Sequence, residues 1–317
     1  VSTGYAGAYT CLLDGSEISS ASVVTFNPTT NISVHPVGGT KCVGDMHIFS
    51  VTASGANLTY QWYKNNLSSP IGGAISYEYT INPLAAADNG TYFCVVTGDC
   101  SVKTSNPATL TVNIPVSVVA QPAPATTLCQ GNSTSLLFNV TGANLTYVWN
   151  KNGQPITDAN ITGINTNTLV ITSSVVSNTG SYTCTVSGLC STPVTSNTAT
   201  VTVNPTTSIS TQPVSRTKCE GESVTFTVGA AGSNLHYSWR LNGVIIGAAP
   251  DNPVYTIPVV NKAAHEGNYT CIVTGDCGAG VTSETALLTV NRTTTIGAPV
   301  ISSNPVCQGG STTISVA

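Results

Sequence analysis

The feature that most narrows what this chain can fold into is a set of aromatic and sulfur residues returning in fixed register. Tyr60-Gln61-Trp62 is followed by Tyr92-Phe93-Cys94, Tyr147-Val148-Trp149 by Tyr182-Thr183-Cys184, and Tyr237-Ser238-Trp239 by Tyr269-Thr270-Cys271. Twenty residues before each Trp stands a Cys-x-Gly turn: Cys42-Val43-Gly44, Cys129-Gln130-Gly131 and Cys219-Glu220-Gly221. The period is 87 to 90 residues, which is the size of one two-sheet sandwich domain and too long for a solenoid repeat. A Trp on one strand and Tyr-x-Cys on another are what the middle of two facing sheets requires, because each strand turns alternate side chains inward.

Composition is needed only to decide whether such domains have cores. Of the 317 residues 41% are hydrophobic, and they alternate with Thr, Ser and Asn, so each copy can bury a core. Only 7% are charged, and the net charge of -4 gives no basic patch, which argues against nucleic acid and against an anionic membrane surface as partners. No apolar run is long enough to span a bilayer. Eleven Cys at fixed repeat positions point to an oxidising, extracellular compartment.

Taken in order, residues 1–30 read as the last strands of a truncated domain: Gly7 to Cys11 matches the Tyr-x-Cys strand and Ser20 to Asn27 the closing strand. Complete domains are expected at 31–113, 114–204 and 205–291. Residues 292–317 open a further truncated domain, with Pro305-Val306-Cys307-Gln308-Gly309 repeating the Cys-x-Gly turn. In the third copy Val224, Phe226 and Val228 alternate inward. Asn242-Gly243 and Asn152-Gly153 suit the positive φ angles of two-residue hairpins, and Asn65-Asn66 is expected to sit equivalently. Asp88-Asn89-Gly90 resembles the turn before a tyrosine corner. The joins are short and Pro- or Thr-bearing, which predicts a fairly stiff linear array.

The Tyr-x-Trp and Tyr-x-Cys strands, Gly275-Asp276-Cys277 and the Ser-Asn-x-Ala-Thr-x-Thr-Val closures such as Ser105 to Val112 carry a resemblance across essentially the whole chain. The sequence resembles the immunoglobulin-like repeats of large secreted surface proteins and adhesins of Bacteroidetes-type bacteria, including the kind associated with gliding and type IX secretion. The resemblance implies an all-β fold of tandem immunoglobulin-like β-sandwiches. One departure from antibody-type domains is the second strand, where Val51, Val228 and either Phe138 or Val140 stand at the position of a Cys, leaving the usual cross-sheet disulfide without its second thiol.

Each full copy has three Cys: in the Cys-x-Gly turn (Cys42, Cys129, Cys219), in the core strand (Cys94, Cys184, Cys271) and in the last hairpin (Cys100, Cys190, Cys277). The turn and the hairpin lie at opposite ends of one sandwich, about 20 Å apart by strand length, whereas bridged Cα atoms sit about 6 Å apart. In a head-to-tail stack the bottom of one domain meets the top of the next. That arrangement predicts staples Cys42–Cys190 and Cys129–Cys277, with Cys100, Cys219 and Cys307 finding partners elsewhere. A bridge inside each domain through a distorted strand is the competing reading. Cys94, Cys184 and Cys271 are expected in the core beside Trp62, Trp149, Trp239, Tyr92, Tyr182 and Tyr269.

Chemistry beyond this is thin. His35, His47, His236 and His265 fall at unrelated places in the repeat, no zinc-type Cys spacing exists, and no nucleophile elbow or phosphate loop is present, so no catalytic, cofactor or metal site is expected. Ten Asn-x-Ser/Thr sequons, Asn57, Asn144 and Asn268 among them, are a common by-product of a Thr/Asn-rich composition. Three function classes are weighed. A stiff extracellular stalk or filament, touching neighbouring domains of a longer chain and other copies in a fibre, fits best. A module recognising surface glycan or protein through its loops is the alternative, and an enzyme has no positive support.

Overall fold

The computed structural model describes residues 5–17, 19–292, 300–301 and 313–315. It is built almost wholly of strands, and the third copy shows the plan. One sheet runs Arg216–Cys219, Ala286–Asn291, Gly267–Thr274, His236–Leu241, Val244–Ile245, with Val281–Thr282 also against the Tyr-x-Cys strand. Facing it, Val224–Thr227 pairs with Val254–Ile257, and Ser208–Thr211 pairs with Gly229–Ala231. The Trp strand and the Tyr-x-Cys strand are adjacent and antiparallel, with Trp239 opposite Cys271, as Trp149 is opposite Cys184 and Trp62 opposite Cys94.

The first strand of each copy serves both sheets. Ser208–Thr211 lies on one, then the chain crosses at buried Pro213, and Arg216–Cys219 runs parallel to the closing strand of the other. Pro36 and Pro122 are buried at the same crossing. Proline suits a point where the ladder is broken, because it has no N–H to leave unpaired. The residue before each Pro then ties the crossing down: Gln121 Oε1 accepts from Asn197 N at 2.8 Å, Gln212 Oε1 from Glu284 N at 2.9 Å, and His35 Nδ1 from Asn106 N at 3.1 Å. His35 is thus the imidazole version of a repeated glutamine.

Three separate cores result. Each is centred on a fully buried Trp and Tyr: Trp62 and Tyr92, Trp149 and Tyr182, Trp239 and Tyr269. Removing 150–250 Å² per aromatic ring from water stabilises by about 4–6 kcal/mol each at 25 cal/mol/Å². The polar ends are satisfied too. The indole N–H of Trp62, Trp149 and Trp239 donates to the carbonyls of Ser76, Thr166 and Asn252 at 2.9 to 3.0 Å. The hydroxyls of Tyr92, Tyr182 and Tyr269 donate to the carbonyls of Asp88, Asn178 and His265 at 2.7 to 2.8 Å. All three are tyrosine corners, each held by the residue four positions earlier.

That residue has a second duty. It closes the short helical turn by accepting from the backbone N–H that starts the turn: Asp88 from Ala85, Asn178 from Val175, His265 from Asn261. Carboxylate, amide and imidazole all present an acceptor at the right reach, so the position tolerates three chemistries.

The hairpin expectation holds for two copies and is corrected in the first. Asn152-Gly153 and Asn242-Gly243 have φ of +52°, +75°, +49° and +84°, and each is followed by a short paired strand. In the first copy Asn65 has φ of +64°, but Asn66 is not left-handed, and the next contact is a lone bridge between Tyr63 and Pro70. Without glycine at the second place the tight turn is strained, and the chain makes a longer loop.

Candidate functional site at the domain junctions

The residues that join one sandwich to the next form the most specialised part of the molecule. At the bottom of each copy the Cys-x-Gly turn needs its glycine: φ is +92° at Gly44, +88° at Gly131 and +91° at Gly221, where a side chain is disfavoured. The glycine N–H donates to the carbonyl of Leu84, Ser174 or Val260, in the loop that follows the facing sheet's strand Glu78–Ile81, Thr168–Ile171 or Val254–Ile257, and the preceding residue donates to the end of the closing strand, at Asn113, Asn204 or Asn291. The turn is therefore fixed beside the last residue of its own domain, and in each copy Cys42, Cys129 and Cys219 pair with that residue in parallel register.

The top of each copy is the hairpin after the Tyr-x-Cys strand. Its first residue is glycine for a steric reason. A Cβ would come to 2.8 Å of Val116 at Gly188 and 2.6 Å of Thr207 at Gly275, and would collide with Thr30 at Gly98. Those three residues are the last of each join, so the linker passes directly under the hairpin. It is also bonded there: Thr207 N donates to Cys277 O at 2.8 Å, and Val116 N to Ser191 Oγ at 3.2 Å.

Bottom and top meet across two junctions. Cys42 is bonded to Cys190 and Cys129 to Cys277, with Cα separations of 5.5 and 5.4 Å. Both bonds span 148 residues and each connects one sandwich to the next. Cys100 and Cys219 are free and exposed, at the top of the first copy and the bottom of the third. Cys307 lies outside the described residues.

The core-strand thiols are a different population. Cys94, Cys184 and Cys271 are fully buried and unbonded, and burial pushes each thiol up to about 11. The second-strand residues facing that space, Phe49 and Val51, Leu136 and Phe138, Phe226 and Val228, are all buried hydrophobics. A protonated thiol packed among them behaves as a small apolar residue. Among the described residues no group of three or more His, Cys, Asp and Glu lies close enough together to hold a metal ion. His47 rests edge-on against Phe49, and His236 pairs with exposed Asp251 at 2.7 Å, which holds the Asp251 carboxyl below its ordinary range through that hydrogen bond and one from Tyr237 N.

Consecutive two-sheet sandwiches, each with a buried Trp, a tyrosine corner and a first strand shared between sheets, define a tandem array of immunoglobulin domains. Residues 27–112 match the family described as immunoglobulin domain, and residues 117–203 match the immunoglobulin I-set domain. Over 130 residues the chain is 31% identical to Protein turtle of Drosophila melanogaster; the match takes in 37% of this chain and 8% of that protein's length. In fold the chain is similar to the three-domain I-band fragment I67-I69 of titin, with a TM-score of 0.63 at 18% identity over 83% of this chain and 98% of that one. It is also similar to a crystal structure of Dpr2 Ig1-Ig2 in complex with DIP-Theta Ig1-Ig3, with a TM-score of 0.51 at 15% identity, covering 83% and 100%. These findings correct the resemblance drawn from the repeat motifs. The matching family models and the fruit-fly relative lead to animal immunoglobulin-domain proteins, not to Bacteroidetes gliding-type adhesins. The shared motifs are those that any such sandwich needs at its core, which is why they did not discriminate lineage.

Proposed function

We propose that the chain is a non-enzymatic structural segment of an extracellular or cell-surface adhesion protein, acting as a stiff, disulfide-stabilised stalk or fibre. Its domains are 31–113, 114–204 and 205–291, flanked by partial domains at 1–30 and 292–317. The observation that carries the reading is the pair of bonds Cys42–Cys190 and Cys129–Cys277, each joining the bottom of one sandwich to the top of the next at the same separation of 148. A covalent bond running beside the linker adds a second attachment at each junction, and the two together restrict the hinge and twist freedom that one short linker leaves. Bonds of this kind are kept in oxidising, extracellular surroundings. No helix among the described residues is long and apolar enough to cross a membrane.

Small-angle X-ray scattering of the oxidised chain tests this. A rod-like profile that loses its sharp maximum dimension after reduction is the expected result; the scattering of a flexible string from the fully oxidised chain sinks the proposal.

A recognition role is favoured by one observation. Val244 and Ile245 stand side by side on the terminal strand of their sheet in the third sandwich and are 71% and 60% exposed. An apolar partner surface, on protein or glycan, is the ligand class such an edge suits. Val244→Lys leaving capture of a surface ligand undiminished would dispose of it.

A further inference from the structure

The first sandwich carries an empty copy of the site that holds Cys129. Asn27-Pro28-Thr29-Thr30 repeats Asn204-Pro205-Thr206-Thr207 residue for residue, and Gly98-Asp99-Cys100 repeats Gly275-Asp276-Cys277. The geometry is repeated as well. Asn57 Nδ2 donates to Asp99 Oδ2 at 2.8 Å where Asn234 Nδ2 donates to Asp276 Oδ2 at 2.7 Å, and the last linker residues, Thr30 and Thr207, are 1% and 6% exposed. Asn27 also donates to Asp99, at 2.8 Å, joining linker to hairpin.

The main difference between the two sites lies at the cysteine. At the later one Cys277 is bonded to Cys129 and 2% exposed. At the earlier one Cys100 is exposed and unbonded, its thiol donates to Asn27 O at 3.4 Å, and it borders a cavity of about 800 Å³ whose walls include Phe26, Asn27, Pro28 and Asp99. The cavity adjoins the end of the partial domain's closing strand. In every complete copy that end is where the Cys-x-Gly turn is paired, as Asn113 with Cys42 and Asn204 with Cys129.

We propose that this cavity is a docking site for a Cys-x-Gly turn, borne by an immunoglobulin sandwich immediately N-terminal in the same polypeptide, and that Cys100 is the acceptor half of a third interdomain disulfide. The inference rests on the reading of the two observed bonds as a continuing series. Chemically it is thiol–disulfide exchange. The Cys100 thiolate attacks a small-molecule disulfide such as oxidised glutathione and releases one glutathione thiol. The turn's thiolate then displaces the second glutathione, leaving the protein bond, two reduced glutathiones and no unbalanced electrons.

The test replaces residues 1–26 of the full chain with a duplicate of residues 114–203. The duplicate's Cys129 then precedes Cys100 through the same Asn-Pro-Thr-Thr join, at the separation of 148 seen in the two existing bonds. The duplicate also carries Cys190→Ser to remove a spare thiol. The protein is refolded in a glutathione buffer, alkylated without denaturant and mapped unreduced. Three bonds are expected, with Cys100 joined to the duplicated Cys129 and its alkylation at least tenfold slower than in the unaltered chain. A duplicate carrying Cys129→Ser should restore that alkylation. Formation of Cys42–Cys190 and Cys129–Cys277 with Cys100 still freely alkylated, or joined to a different cysteine, overturns this proposal and leaves the stalk reading standing. Failure of those two bonds in the same folded sample overturns both.

Discussion

Removing one staple should weaken two domains and spare the third, and the pattern can be worked from the register. Cys42 pairs with Asn113, so its bond to Cys190 ties the hairpin of the second domain back to that domain's own beginning. Cys129 pairs with Asn204, and Cys277 accepts a hydrogen bond from Thr207, so the second bond ties the middle domain to its own end. If one domain unfolds while its neighbours stay folded, each bond it touches still closes a loop of roughly 75 residues, and in the loop-entropy account each such loop costs the unfolded chain about 4.5 kcal/mol. The first and third domains each carry one such loop; the middle domain carries two, overlapping between 129 and 190. The double variant Cys129→Ser/Cys277→Ser therefore takes about 4 kcal/mol from the third domain and up to that from the second, and nothing from the first. Hydrogen exchange followed by mass spectrometry reads the three separately, through Gly90–Thr97, Gly180–Ser187 and Gly267–Thr274. Protection in the last two should drop by up to about a thousandfold, since 1.4 kcal/mol is a factor of ten. An equal loss in all three strands, or none in the third, refutes the reasoning.

Other perturbations have simpler arithmetic. Trp149→Ala removes a 2% exposed indole and should cost the middle domain about 3–5 kcal/mol in a urea melt, while a domain of unchanged midpoint would contradict its place at the core. Tyr182→Phe leaves the Asn178 carbonyl without its 2.7 Å donor and should cost about 1–3 kcal/mol by the same measurement; a neutral result would show that the corner is held by packing alone. Burial pushes Tyr182 and Tyr269 up to about 12 and the core thiols up to about 11, so above pH 9 the unfolded chain releases protons that the folded chain retains. Stability should accordingly be level through neutral pH and fall between about pH 9 and 12, as seen by circular dichroism; a rise in that window would reverse the assigned burial. Cys100 and Cys219 should react with a thiol reagent in the native protein while Cys94, Cys184 and Cys271 react only on unfolding, which titration with and without denaturant checks.

The parts of this structure legible in the sequence are those where one residue type meets one physical demand. Trp beside Tyr-x-Cys reports a two-sheet core because few other places bury so much aromatic surface in strict alternation. Asn-Gly reports a tight turn because few residue pairs adopt two successive positive φ angles. Legibility fails where a demand is met by several chemistries. Asp88, Asn178 and His265 perform one bond with three side chains, so the sequence shows only Asp88 as a corner residue. His35 looks like an isolated histidine until it is seen to replace Gln121 and Gln212. Asn65-Asn66 misleads in the other direction, since its place in the repeat suggests a hairpin that the missing glycine forbids. The junction sites depend on residues distant in the chain: the match of Asn27–Thr30 with Asn204–Thr207 is plain once Thr30 and Thr207 are found under their hairpins, and carries no meaning before that.

The order of the two bonds also fixes how tension passes along the chain. From Asn31 the shortest covalent route goes to Cys42, across to Cys190, backwards through the middle domain to Cys129, across to Cys277 and on to Asn291. That route is about 86 residues, so even complete unfolding extends it to roughly 300 Å, against roughly 900 Å for the same stretch without the bonds. Within the middle domain the pull is applied between the hairpin and the Cys-x-Gly turn. The strands at its two ends, Ser117–Ala120 and Ala199–Asn204, lie off that covalent route. Pulled to its covalent limit, a molecule of this design reaches only about a third of the length its sequence would permit.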